Sequence, residues 1–96
     1  MPSIEKSSVR GIRNAVTTVG TTAVPISADT LETVKGVWLQ PLAANAGEIY
    51  LGGPGVTTSN GLLLAKGEIN FFPAAMLPDV YLISGSADQT LKWVAI

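Results

Sequence analysis

From residue 14 onward the chain is a series of short apolar runs and alternations cut by glycine, proline and asparagine. Ala15 to Ser27 is crowded with β-branched residues (Val16, Thr17, Thr18, Val19, Thr21, Thr22, Val24, Ile26), which suit a pleated surface and resist helix. Gly20 divides this run into two strands or marks a bulge, and Pro25 confines its stretch to an edge or a strand end. Val34 to Leu42 places Val37 and Leu39 on one face and Trp38 and Gln40 on the other, with Pro41 closing the strand. Further strands are expected at Glu48–Leu51, Leu62–Leu64, Glu68–Phe72, Asp79–Ser84 and Thr90–Ile96. Turns fall at Asn45-Ala46-Gly47, at Gly52-Gly53-Pro54-Gly55, at the tight pair Asn60-Gly61, at Lys66-Gly67 and at Gly85–Asp88.

Two places allow a turn of helix. Asp29 and Glu32 have capping-box spacing, but Gly36 and the β-rich run beyond it favour a plain turn. Pro73 to Pro78 forms a compact connection with room for one helical turn through Ala74–Leu77. About eight short strands with turn signals roughly every 8–12 residues give an all-β fold, a sandwich or a small barrel. The alternation leaves strand order open.

Composition narrows the function more than the fold. Ninety-six residues make one domain of residues 14–96, 47% hydrophobic and 14% charged, apolar enough that a homo-oligomer is expected, a trimer first and a dimer next. No stretch approaches the roughly 18 apolar residues of a membrane span, so a soluble protein with no membrane partner is expected. Lys6, Arg10 and Arg13 against Glu5 give residues 1–13 a charge of +2, and the remainder carries −3. Residues 1–13 therefore read as a flexible basic arm that becomes ordered on an acidic partner surface, with Lys6, Arg10 and Arg13 making the contacts. The acidic body offers no basic face to nucleic acid.

With no His and no Cys, the common general base, the thiolate nucleophile and most transition-metal ligands are missing. The seven acids stand singly beside turns, without Asp-x-Asp spacing for calcium or an evident catalytic pair. Gly52 to Gly61 resembles a phosphate loop in glycine content but lacks the Gly-Lys-Ser/Thr ending and a following helix, so it reads as a hairpin loop. These observations imply no enzyme, no catalytic residues, no metal and no cofactor. Among the aromatics, Trp93 alternates with Leu91 and Ala95 and belongs to the core. Tyr81 falls outside it, and Trp38, sharing its face with Gln40, is the candidate partner-binding aromatic.

Val34-Lys35-Gly36-Val37-Trp38-Leu39, the turn Ala43-Ala44-Asn45-Ala46-Gly47 and the strand Glu48-Ile49-Tyr50-Leu51-Gly52-Gly53 together resemble small structural proteins of tailed bacteriophages. The likeness continues through Gly55–Gly61, Leu64–Glu68 and Asp79–Ala87, and spans about residues 16–96. The resemblance implies a jelly-roll-like β-sandwich of about eight short strands. It also implies a virion location and a role as a capsid decoration, cement or accessory protein that binds capsid or another virion protein as a symmetric oligomer. It brings no catalytic residues. The competing readings are a carbohydrate-binding or adhesion module of a phage particle, stacking a sugar on Trp38 or Tyr50, and a small-barrel binder of single-stranded nucleic acid, which the acidic body disfavours.

Overall fold

The structure, a computed structural model, describes residues 12–28, 35–73 and 76–96. Among the described residues eight strands form: β1 (Arg13–Val19), β2 (Val24–Pro25), β3 (Val37–Pro41), β4 (Ile49–Gly52), β5 (Leu62–Leu64), β6 (Asn70–Phe72), β7 (Tyr81–Ser84) and β8 (Gln89–Ala95). They make two antiparallel four-stranded sheets, ordered β1-β8-β3-β6 and β2-β7-β4-β5. The pairing is nested, β1 with β8, β2 with β7, β3 with β6 and β4 with β5, and the β3·β8 and β4·β7 ladders complete each sheet. That order is the jelly roll: one long antiparallel hairpin folded over on itself into two Greek keys. β4 and β5 alone are consecutive strands in one sheet; every other connection crosses between layers or along the sandwich.

The core follows from the period-two pattern. On β8 Gln89, Leu91, Trp93 and Ala95 are buried and alternate with Thr90, Lys92 and Val94; on β3 Val37, Leu39 and Pro41 are buried while Trp38 is exposed. From the facing sheet Ile49, Leu51, Leu64 and Leu82 meet them, with Val19, Ile26, Leu77 and Val80 filling one side. Each fully buried Leu or Ile contributes about 1.5–3 kcal/mol relative to an exposed one. With no Cys in the chain, this burial has no disulfide to supplement it.

Side-chain amides and hydroxyls hold the places where ladders end. The Asn45 amide donates to the Thr90 carbonyl (2.9 Å) and accepts the Thr90 N–H (3.0 Å), so one side chain pairs with β8 as a neighbouring strand would. Buried Gln89 accepts the Gly47 N–H (2.8 Å) and donates to the Ala87 carbonyl (2.5 Å), leaving neither end of its amide unsatisfied. At Gly36 (φ 153°) a Cβ would collide with the Phe72 carbonyl oxygen and lie 2.8 Å from the Phe71 ring, so the entry to β3 admits no side chain.

Several expected boundaries shift. The basic arm was expected to run to residue 13, but Arg13 is the first residue of β1, opposite Ala95 on β8, because the β-branched run that follows pulls its backbone into the ladder. Of the helical turn expected over Ala74–Leu77, Ala74 and Ala75 lie outside the described residues; a 3-10 turn forms at Leu77–Asp79, with Pro78 in its first turn and the Val80 N–H returning to the Leu77 carbonyl (3.1 Å). Asn60-Gly61 does not form a two-residue hairpin. Asn60 Oδ1 instead accepts the Thr57 N–H (2.7 Å), the Gly61 N–H bonds the Thr57 carbonyl (2.9 Å), and β4 and β5 are joined by the nine-residue loop 53–61. Lys6, Arg10 and the Asp29–Glu32 turn lie outside the described residues.

Candidate docking surface

The outward side chains of β1, β8, β3 and β6 form a grid fixed by register. Asn14 stands opposite Val94, Val94 opposite Trp38, and Trp38 opposite Phe71, so one row crosses the sheet as Asn14–Val94–Trp38–Phe71. The adjacent row is Val16–Lys92–Gln40, and Ile69, just ahead of β6, extends it. The Trp38 and Phe71 rings lie 4.8 Å apart between centroids at 53°, a tilted pair that holds both rings against the sheet. The exposed fractions are 42% for Trp38, 41% for Phe71, 63% for Ile69 and 61% for Val16. A shallow hollow of about 160 Å³ opens among Trp38, Gln40, Ile69, Lys92 and Val94. Gln40 is steadied by donating to the Gly67 carbonyl (3.1 Å), and Lys92 is the one charged side chain in these two rows.

Trp38 thus lies where the β3 alternation puts it, at the centre of the larger sheet's outer face. The structure adds Phe71, Ile69, Val94 and Val16 to it. The alternation of Glu68–Phe72 carried a signal for Phe71 and Ile69, but did not say which face would meet the core. Arg13 directly precedes Asn14 of the Trp38 row, but its register sets it in line with buried Ala95 and Val37, so it alternates off the outer face and is not brought beside Trp38. Trp93 is buried as expected, and its indole N–H donates to the Thr17 hydroxyl (3.0 Å).

A second hollow, of about 210 Å³, opens between the two sheets where the edge strands β5 and β6 run side by side. Leu39, Leu51, Leu62, Leu64, Phe71 and Phe72 line it, with Leu63 and Asn70. The glycine-rich loop forms a third, shallow bowl bounded by Gly52–Val56 and Asn60, into which no charged side chain reaches. The acids Glu48, Glu68, Asp79 and Asp88 are all exposed, and among the described residues no three His, Cys, Asp or Glu side chains converge. No family model, curated protein or solved structure matches the chain. The outer face around Trp38 is flat, apolar, aromatic at its centre and nearly free of charge, suited to packing against another protein surface.

Proposed function

We propose that this protein is a non-catalytic structural component of a tailed-phage particle, a capsid decoration or cement protein that docks through the outer face of the β1-β8-β3-β6 sheet. The observation that carries this reading is the row Val94–Trp38–Phe71, an exposed aromatic pair on a rigid four-stranded platform flanked by Val16 and Ile69. Rigid aromatics at the centre of an apolar patch contribute most of the energy of protein interfaces, because ordering them costs little entropy. The resemblance of residues 16–96 to small phage structural proteins supplies the particle as partner and the virion as location. Lys6 and Arg10, ahead of β1, add a salt-sensitive attraction to an acidic capsid surface.

The test is quantitative mass spectrometry of purified particles from a phage that encodes the chain, followed by add-back of purified protein to particles lacking it. Occupancy in many copies per particle is expected. Trp38→Ala should weaken add-back by about 2 kcal/mol or more, roughly thirtyfold in Kd, whereas Tyr81→Ala on the opposite sheet should leave it within about twofold. Absence of the protein from purified particles would overturn the reading. If the chain instead binds a glycan array and Trp38→Ala abolishes that binding, the hollow beside Gln40 and Lys92 is a sugar site and the adhesion reading replaces it.

A further inference from the structure

The four edge strands of this sandwich are not treated alike. β2 is two residues long and contains Pro25, which has no N–H to offer a neighbour. β1 carries Arg13, Asn14 and Thr18 along its length, and β6 runs directly into Pro73. β5 is Leu62-Leu63-Leu64, without a proline, charge or polar side chain, and it ends its sheet. Leu62 is 66% and Leu63 51% exposed, although both stand in a ladder against Leu51 and Tyr50. An apolar edge with free backbone donors and acceptors is the arrangement that monomeric β-proteins avoid.

We propose that β5 is the seam along which two copies of this chain join, edge to edge and antiparallel about a two-fold axis at Leu63, to form one eight-stranded sheet. Three observations select a second copy as the occupant. The strand reads the same in both directions about Leu63, so Leu62 meets Leu64 of the other copy on both sides of the axis, as an isologous contact requires. Continued outward, that register sets Gly61 against Ala65 and Asn60 against Lys66, so the seam opposes no like charges. The exposed parts of Leu62 and Leu63, with the turns on either side of a three-residue strand, make a small contact, at or below the roughly 1,200 Å² lower end of a standard interface. The dimer is therefore expected at micromolar rather than nanomolar concentration. The hollow between β5 and β6, lined by Leu62, Leu64 and Phe71, opens at this seam, and pairing shields it from water. The seam strand belongs to the sheet opposite Trp38 and meets the docking face only at Phe71, so Trp38→Ala should weaken docking and leave the pairing intact.

The experiment is analytical ultracentrifugation of the full chain from 1 to 200 µM. A monomer–dimer equilibrium is expected, and Leu63→Lys should raise its dissociation constant at least tenfold. Val16→Lys, an equally polar change at a comparably exposed position on β1, should leave the constant within twofold. Circular dichroism and melting of both variants report whether the fold persists. Because the chain has no Cys, Leu63→Cys supplies an independent readout: paired antiparallel residues lie about 4.5–5.5 Å apart between Cα atoms, within disulfide range, so mild oxidation should cross-link this variant quickly and Val16→Cys slowly. A wild-type monomer at 200 µM, a trimer indifferent to Leu63→Lys, or equal cross-linking of the two cysteine variants would each overturn the proposal.

Discussion

The two long flanks of the sandwich solve the same problem in opposite ways. On the β1/β2 flank the chain passes from one sheet to the other through Gly20–Ala23, and polar groups tie the layers together. The Thr17 hydroxyl, on β1, donates to the Ile26 carbonyl (2.5 Å) and accepts the indole N–H of Trp93 from β8. The Ser84 N–H on β7 reaches the Gly20 carbonyl (2.8 Å), and Ile26 N–H reaches the Val80 carbonyl (2.8 Å). On the β5/β6 flank a hollow lies between the sheets, and the exposed residues beside it are Leu62, Leu63 and Phe71. A flank closed by its own chain has satisfied its backbone and gains little from a partner. A flank left apolar and open loses free energy to water until something covers it. The high apolar fraction of the chain is thus not spread evenly; on the open flank and the Trp38 face it is surface.

That contrast sets the order of mutational effects. Trp93→Ala should be the most damaging, since it empties a large core position and strips the Thr17 hydroxyl of its donor. A loss of about 3–5 kcal/mol is expected, with urea unfolding as the measurement. Thr17→Val keeps the shape but leaves the Trp93 N–H and the Ile26 carbonyl without a partner on the closed flank, and should cost about 1–3 kcal/mol, lowering Tm by roughly 4–8 °C per kcal/mol. On the open flank Leu63→Lys should change the stability of the monomer by less than about 0.5 kcal/mol while altering assembly, because that side chain is already half in water. If Leu63→Lys proved as destabilising as Thr17→Val, the two flanks would be alike and the open one would be a part of the core after all.

Much of the strand content was legible because side-chain alternation is a local property. Val37 and Leu39 against Trp38 and Gln40, or Leu91, Trp93 and Ala95 against Lys92 and Val94, sort themselves by period two whatever the strands later pair with. Turn types were less legible. Asn60-Gly61 has the composition of a tight hairpin, yet Asn60 serves to cap a longer loop, and a Cβ at Gly61 would come within 2.7 Å of Val56 and 2.8 Å of Tyr50. The polar ties were not legible at all: nothing near Asn45 in the chain announces that its amide will pair with Thr90, forty-five residues away.

By itself, then, the sequence determined the all-β class, the approximate strand segments and the faces of Trp38 and Trp93, since each depends on neighbours two to four residues distant. The nested order β1-β8-β3-β6 over β2-β7-β4-β5 was decided by the tertiary structure, because pairing the first strand with the last is a choice among partners that local pattern leaves equivalent. The same holds for the functional surface. Trp38, Phe71 and Val94 become one patch through cross-strand register, and Leu62 and Leu63 become an exposed edge because β5 ends its sheet.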